Sequence, residues 1–504
     1  MPTERKLDLA ALALVVFGML RIASTWNVFS ATVDEPMHVS AGLQLYTQHV
    51  YTYQPENPPL PRLVFALAPF LGGMEFDPAR EIGEQLRGVF YSRGRYKTNL
   101  VLARCGNLLF FVLASIAVWR WARRELGAAG GFMAMLIFTM QPAIVAHAGF
   151  ATHDMAATAG VAVSLLAFAR WLDRPTLAHA IACGAAFAFA VLCKFSAIGY
   201  VPAAWLALYV VRAVRERRMQ NPIPSLLAAS ATTVLLIWAG YAFTTRAFFA
   251  GIRGLRALDG MHHFAFLFGD VSGRGWWYYF PAALLLKATL ATLLLVACVF
   301  LARRMRIAGE SLAAALAILA VSMTSHLNLG VRYVLPIFAP LAVTAAATVL
   351  AMLRWQRSGR LQPAGGRAEA RPYVMRFAAI ALLAWHTGAS VLAHPDTLPY
   401  FNELAGREPW RYLIDSNIDW GQDVLRLKRV IRQKKIERIG LGIMGWHDWD
   451  KLGFPPHNDL HRDIPTQGWV AVSEHIYGVA RGAPWLEGRR YERVGKSIRL
   501  YYIP

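Results

Sequence analysis

Residues 7–38 read LDLAALALVVFGMLRIASTWNVFSATVDEPMH, a long apolar run that leads into an acidic pair. The apolar part, 7–30, is long enough to cross the hydrocarbon core of a bilayer as a helix, which takes about 20 residues. Asp34 and Glu35 follow it and precede Pro36, and proline suits the first position of a helix. The stretch therefore predicts a membrane anchor, and then a second helix with Glu35 as its N-cap.

The composition of the whole chain supports a membrane protein. Of its 504 residues, 56% are hydrophobic and only 16% are charged, a balance that is wrong for a soluble enzyme of this length. Apolar runs long enough to span a membrane recur along the chain, and they predict an all-α polytopic membrane protein with about eleven transmembrane helices. The predicted spans are 7–30, 100–121, 128–149, 155–172, 177–193, 197–214, 225–244, 279–301, 311–327, 331–353 and 374–393.

The basic residues indicate how the spans are oriented. Arginine clusters such as Arg120–Arg124 and Arg212–Arg218 fall on alternate connections, which predicts that these connections are cytoplasmic. The net charge of +21 is then explained by loops facing anionic headgroups, so we expect no nucleic-acid partner. We predict a multi-pass protein of the bacterial inner membrane, with membrane lipids as partners and the C-terminal region outside the cytoplasm.

Two regions outside the spans have an organisation of their own. In the first outer loop, 31–99, we expect a helix over 34–46, a non-helical proline-rich stretch from Gln54 to Pro61, and a short interfacial apolar segment, Leu63–Leu71. After 393 the composition becomes that of a soluble domain. The composition thus predicts a transmembrane domain, 1–393, and an extracytoplasmic α/β domain, 394–504.

The α/β domain is predicted from local patterns. Apolar residues at helical spacing around 424–431 indicate a helix, and strand-like runs follow at 438–443 and 469–474. The segments 491–494 and 497–503 flank a Gly-Lys turn and predict a hairpin. In the transmembrane part, the segment 356–372 is the only stretch that resembles a linker.

Ionisable residues cluster on the predicted outer connections. Besides Asp34 and Glu35, these are Asp154, Lys194 and Arg332. Charged groups at such depth are costly and usually face a cavity or a partner. A pocket that combines acids and bases suits a phosphate-bearing lipid attacked by a neutral nucleophile. Simpler alternatives remain: the acids can cap helices, and the two bases can extend to lipid headgroups.

Two further segments are open to more than one interpretation. The loop 245–278 contains His262 and His263, and its end begins the run Trp276-Trp277-Tyr278-Tyr279, which marks either a membrane boundary or a sugar-stacking surface. The Asp-rich stretch Asp415–Asp423 is interpreted as a loop of Asx turns, with a cation or acceptor-glycan site as the alternative.

Several motifs, taken in order, resemble those of GT-C membrane glycosyltransferases, a superfamily that includes protein O-mannosyltransferase-like and aminoarabinose-transferase-like enzymes. The motifs are Asp34-Glu35-Pro36-Met37-His38, Asn57-Pro58-Pro59-Leu60, Ala151-Thr152-His153-Asp154, Cys193-Lys194-Phe195-Ser196 and Arg332-Tyr333-Val334-Leu335-Pro336. Together they cover the transmembrane part. Asn57 departs from the pattern, because some relatives have lysine or histidine before the paired prolines.

The resemblance implies transfer of a sugar from a polyprenyl-phosphate donor, with inversion, to a protein, lipid or glycan acceptor at the extracytoplasmic face. It implies Asp34 as the catalytic base, Glu35 as its neighbour, and Asp154 as a second acidic group. Lys194 and Arg332 would bind the donor phosphate. The expected supporting or substrate-binding residues are His38, Asn57, His153, His262, His263 and Tyr333.

Two other functions and one cofactor question stay open. A polyprenyl-linked lipid flippase or transporter would also need charge in the membrane, although no second half of the chain resembles the first, as transporter repeats would. An inactive scaffold with the same fold is the third possibility. No cofactor is indicated with certainty; a divalent cation is possible at the acidic residues, but their spacing matches no standard ligand pattern.

Overall fold

The structure, a computed structural model, describes residues 2–217, 223–261, 263–303, 305–354 and 370–504. Most of the predicted linker-like segment lies outside these ranges. The described helices are α1 Pro2–Thr25, α2 Glu35–Gln48, α3 Pro59–Leu71, α4 Ile82–Gly88, α5 Tyr96–Thr139, α6 Pro142–Ala148, α7 His153–Asp173, α8 Leu177–Cys193, α9 Ala197–Glu216, α10 Ile223–Gly240, α11 Arg246–Gly260, α12 Tyr279–Lys287, α13 Leu290–Ala297, α14 Arg306–Ser322, α15 Phe338–Leu353, α16 Ala370–Leu392, α17 Val424–Lys434 and α18 Trp449–Leu452. The strands are β1 Ala265–Leu267, β2 Asp270–Ser272, β3 Ile439–Gly442, β4 His457–Asp459, β5 Gly468–Ser473, β6 Glu492–Val494 and β7 Ile498–Ile503.

The polytopic helical fold is confirmed, and helical segments occur at all eleven predicted span positions. Within the described residues, seven helices are long and apolar enough to cross a membrane, or up to eight if α12 and the helical segment after it, bent by 112°, form one span. The count of about eleven takes that bent pair as one span and exceeds eight for two further reasons. It divides α5, a helix of 44 residues with a break at Gly127, into two spans. It also counts α8 and α14, which have 17 residues each.

The segments of the predicted first outer loop differ from expectation at two points. Helix α2 begins at Glu35, so Asp34 and not Glu35 occupies the N-cap position, and the Asp34 side chain makes no capping hydrogen bond. Helix α3 begins at Pro59, which makes the prediction of a non-helical Gln54–Pro61 wrong for its last residues. Prolines are accepted there because the first-turn N–H groups have no partner within the helix.

The helices that carry the polar residues lie in the centre of the bundle. Helix α15 is buried along almost all of its length and α7 is mostly buried, whereas α10 and α16 are peripheral. Helix α8 packs against α7 without space for a larger side chain: a Cβ at Gly160 of α7 would lie 2.6 Å from the Ala190 Cα atom of α8. This contact fixes the end of α8 relative to the start of α7.

A cluster of ion pairs ties several helices together at the far end of α7. Arg212 of α9 binds Glu310 of α14 at 2.5 Å and Asp173 of α7 at 2.6 Å. Arg306 binds Glu125 at 2.8 Å in the same cluster. This cluster lies about 29 Å from the start of α7, at 1.5 Å per helical residue. The predicted basic connections therefore meet at one end of the bundle.

The C-terminal region forms the small α/β unit that the sequence predicts. Its sheet has the order β4-β3-β5-β7-β6. Strand β3 pairs in parallel with β4 and β5, whereas β7 pairs antiparallel with β5 and β6. Helix α17 covers the sheet with buried Val424, Leu427 and Ile431. The sequence analysis did not predict the short strand β4 or the β1–β2 hairpin. The domain boundary between residues 393 and 394 stays a prediction.

Candidate active site

Four of the predicted charged residues come together at one end of the bundle. Asp34 precedes α2, Asp154 lies in the first turn of α7, and Lys194 directly follows α8. Arg332 lies in the 3-10 turn Val331–Ile337, which runs into α15. Each side chain is thus placed by a helix end, where the chain leaves the apolar bundle and charge can be accommodated.

The four residues form a chain of alternating charges. The Nη1 atom of Arg332 lies 2.5 Å from the Oδ2 atom of Asp34 and 3.9 Å from the Oδ2 atom of Asp154. The Nζ atom of Lys194 lies 2.6 Å from the Oδ1 atom of Asp154. Asp154 is almost completely buried, whereas the Asp34 side chain keeps 19% of its surface exposed. Asp34 is therefore the more accessible of the two acids.

Glu35 lies in a different environment from its neighbour Asp34. Its carboxylate is fully buried and accepts hydrogen bonds from Arg104 Nε at 2.7 Å and Arg104 Nη2 at 2.8 Å. It also accepts from the backbone N–H groups of Thr32 at 2.8 Å and Ala151 at 2.9 Å. Both oxygens are thus used in joining the first loop to α5 and to the residues before α7. These contacts favour a positioning role over the predicted role in the chemistry.

Two of the four predicted supporting histidines, His38 and His153, are in contact with each other. The Nδ1 atom of His153 lies 3.3 Å from the Nε2 atom of His38, and its Nε2 atom lies 3.2 Å from the carbonyl oxygen of Pro58. Burial, together with the neighbouring His153, holds the pKa of His38 well below its usual value. Across the described ranges, no three His, Cys, Asp or Glu side chains are grouped as a metal site. The pair therefore supports the proline-rich loop as neutral rings.

An open cleft of about 460 Å³ adjoins this cluster. Asn57, Lys194 and Tyr333, all predicted site residues, line it together with Arg256 of α11. The Nζ atom of Lys194 lies 4.5 Å from the centroid of the Tyr333 ring, within cation–π range. The cleft combines this basic end with apolar walls from α9, α11 and α14. It can accept a ligand that has a phosphate and a hydrocarbon part.

The remaining predicted histidines lie elsewhere. His262 is outside the described residues. His263 lies between α11 and β1, and it is not among the residues that line the cleft. The hairpin that follows it contacts the C-terminal region, through a hydrogen bond of 2.9 Å from Phe268 N to the carbonyl oxygen of Tyr412.

The Asp-rich stretch of the C-terminal region, interpreted from the sequence as a loop of Asx turns with a cation or acceptor-glycan site as the alternative, lies next to Arg332. The ring centroid of Trp420 lies 4.5 Å from the guanidinium carbon of Arg332. Asp415 lies near the same guanidinium; burial raises the pKa of this carboxyl, and His475 and Arg332 lower it in part. Asx-type contacts are present as expected, such as Gly421 N to Asp419 Oδ1 at 3.1 Å. The aspartates of this stretch are visible in the sequence, but no local sequence pattern predicts that the stretch contacts Arg332.

Comparison with known proteins agrees with this fold. Residues 97–240 match the family model described as dolichyl-phosphate-mannose-protein mannosyltransferase. The structure is similar to the crystal structure of ArnT from Cupriavidus metallidurans in the apo state, with 15% sequence identity, a TM-score of 0.51 and coverage of 97% of each chain. For the crystal structure of ArnT from the same organism bound to undecaprenyl phosphate, the identity is 14%, the TM-score 0.50 and the coverage 97% of each chain. No curated protein sequence matches the chain.

These comparisons and the arrangement of the helices confirm the fold that the motifs predict. The chain is a multi-pass membrane protein with the fold of the GT-C superfamily of membrane glycosyltransferases.

Proposed function

We propose that this protein transfers a sugar from a polyprenyl-phosphate carrier to a hydroxyl or amine acceptor, with inversion at the anomeric carbon. The observation that carries the proposal is the array of Asp34, Arg332, Asp154 and Lys194 beside an open cleft, which Lys194 lines. A flippase would need no base that is accessible beside a cationic site.

Lys194 and Arg332 bind the phosphate of the donor in this mechanism. Lysine supplies a compact positive charge and arginine a planar set of N–H donors, and together they stabilise the charge that develops on the leaving phosphate. Arg332 has five N–H donors, so it can bind phosphate while it stays close to Asp34. The buried Asp154 keeps Lys194 in place through their 2.6 Å contact.

Asp34 acts as the general base. The acceptor oxygen or nitrogen attacks the anomeric carbon, and Asp34 takes its proton while the bond from that carbon to the phosphate oxygen breaks. The phosphate leaves with the bonding electrons. Glu35 acts as a positioning residue, because its buried contacts with Arg104 fix the chain immediately after Asp34.

We place this site at the extracytoplasmic face of a bacterial inner membrane, with the C-terminal region on the same side. The support is the distribution of charge: the basic clusters meet at the opposite end of α7, and such clusters favour the cytoplasm.

The test is to incubate purified protein with a labelled polyprenyl-phosphate sugar and to measure the release of polyprenyl phosphate. The wild type should release it, whereas a flippase or an inactive scaffold would leave the donor intact. Asp34→Asn should slow release by about 100-fold or more, the usual contribution of a general base. Asp77→Asn is the matched control, since Asp77 is an exposed acid paired with Arg80 in the same loop region. Full activity of Asp34→Asn would remove the proposed mechanism.

A further inference from the structure

One segment of the C-terminal region contacts the two chain stretches that carry Asp34 and Arg332. Near Arg332, the hydroxyl of Ser416 donates to the carbonyl oxygen of Leu329 at 2.5 Å. The Oδ1 atom of Asn417 accepts from Val331 N at 3.0 Å. These two contacts hold the backbone directly before Arg332.

The glycine between those two residues shows how closely the segment approaches. Gly330 has a φ of 109°, in the region that favours glycine, and a Cβ there would lie 2.3 Å from the Ser416 hydroxyl oxygen. A side chain at this position would displace the segment, so the sequence Leu329-Gly330-Val331 is suited to this contact.

The same segment also holds the backbone before Asp34. Val33 N donates to the carbonyl oxygen of Trp420 at 3.0 Å, and Ser30 N donates to that of Gln422 at 2.9 Å. Asp34 and Arg332 are 298 positions apart in sequence. The Asp415–Gln422 segment therefore contacts the residues that precede each of them.

The side chain of Trp420 contributes directly to the environment of Arg332. Trp420 is fully buried and packs beside Phe150, with ring centroids 5.8 Å apart. Its ring lies 4.5 Å from the Arg332 guanidinium carbon, and the Tyr333 ring lies 5.2 Å from the same atom. Aromatic faces attract a guanidinium, more strongly where water is excluded.

We infer that the Asp415–Gln422 segment is a working part of the active site, in which Trp420 is a positioning residue that holds Arg332 for the donor phosphate. The inference rests on the proposed function and extends it to the C-terminal region. That region then contributes to donor binding, beyond any part it has in stability.

The test compares three variants in their binding of polyprenyl phosphate and in kcat and KM for the labelled donor. Trp420→Leu should weaken binding of polyprenyl phosphate and raise the donor KM by about tenfold, the effect of losing a desolvated cation–π contact. Trp420→Phe keeps an aromatic face and should retain most of the affinity. Trp410→Leu is the matched control. The Trp410 ring lies 3.8 Å from the guanidinium carbon of Arg493, so this variant removes a contact of the same kind without changing the surroundings of Arg332. It should therefore behave as wild type. Equal affinity for Trp420→Leu and wild type, or equal losses in Trp420→Leu and Trp420→Phe, would overturn the inference.

A double-mutant comparison separates positioning from a general loss of structure. If Trp420 acts through Arg332, Trp420→Leu should reduce binding no further once Arg332→Gln is present. A structural defect would instead reduce binding by the same factor in both backgrounds. If the proposed function itself is wrong, the wild type will release no polyprenyl phosphate. The binding measurements alone would then decide the role of Trp420. A wild type that neither turns over the donor nor binds polyprenyl phosphate overturns both.

Discussion

At the scale of single residues, Asp34 and Glu35 show how neighbours in sequence take different roles. Helix α2 begins between them, so their side chains leave the backbone in different directions. Asp34 meets Arg332 beside the cleft, while Glu35 is enclosed and bound to Arg104. A carboxylate that is fully hydrogen-bonded inside the protein contributes to stability, whereas one that is partly exposed can exchange a proton with a substrate.

Glu35→Gln should therefore destabilise the protein more than Asp34→Asn does. Removing one partner of a buried ion pair leaves an uncompensated charge on the other and costs about 3–5 kcal/mol. Thermal unfolding in detergent is the measurement, and we expect a clear fall in the midpoint for Glu35→Gln and little change for Asp34→Asn. An unchanged midpoint for Glu35→Gln would contradict the structural role of the Glu35–Arg104 pair.

Lys194→Met should reduce transfer by about 100-fold, because it removes the positive charge that stabilises the leaving phosphate. Lys194→Arg should retain part of the activity, since it keeps the charge beside Asp154. The control is Lys97→Met, which removes an exposed lysine at the start of α5. Labelled-donor turnover measures all three, and a loss in Lys97→Met as large as that in Lys194→Met would indicate a general charge effect instead of a local one.

At the scale of elements, close packing of helices decides where the charged residues meet. Helix α7 carries Asp154 at its start, and α8 leads directly to Lys194 at its end. The two helices approach each other at Gly160 and Ala190, without space for a larger side chain. A substitution at the contact between Gly160 and Ala190 should therefore affect Asp154 and Lys194, which lie about one to two helical turns away.

Gly160→Leu should separate α7 from α8 and weaken the contact between Asp154 and Lys194, lowering both the unfolding temperature and the turnover. Overpacking of a tight contact costs about 1–3 kcal/mol. Gly388→Leu in α16 is the matched control, because a Cβ at that helical glycine meets no atom within 4 Å. Thermal unfolding and donor turnover are measured on both variants. Similar behaviour of the two would show that the α7–α8 contact tolerates expansion.

The elements were partly predictable from local rules. Helices α2 and α17 and the β6–β7 hairpin follow from proline position, helical spacing and a glycine turn. The start of α3 at Pro59 was wrongly predicted, because prolines that break a helix interior are accepted in its first turn. The bend between α12 and α13 falls at Lys287-Ala288-Thr289, where polar residues interrupt the apolar run, and the sequence analysis did not predict it.

At the scale of the whole molecule, the two ends of the helix bundle carry different sets of charged residues. One end has the Asp34–Arg332–Asp154–Lys194 array and the cleft, and the other has the ion-pair cluster around Arg212 and Glu310. Basic residues favour the cytoplasmic side of a membrane, so the proposed topology places the second end in the cytoplasm and the first end outside it.

Reporter fusions test this orientation. Alkaline phosphatase, which is active only outside the cytoplasm, should be active when fused after Pro504 and inactive when fused after Arg174, between α7 and α8. A cytoplasmic reporter at the same two positions should give the reverse pattern and serves as the control. Activity of the phosphatase only at Arg174 would invert the proposed topology and place the site at the cytoplasmic face.

The sequence by itself determined the membrane class, most helix positions and the identity of four charged residues at helix ends, because hydropathy and charge at a boundary are local properties. The tertiary structure was needed to show that Asp34 pairs with Arg332 and stays partly exposed while Glu35 is buried against Arg104, and that Trp420 packs against Arg332. Those outcomes depend on partners that lie far along the chain, such as Arg332 for Asp34 at a separation of 298 positions. No local pattern specifies such a partner, since it is selected by the packing of whole helices.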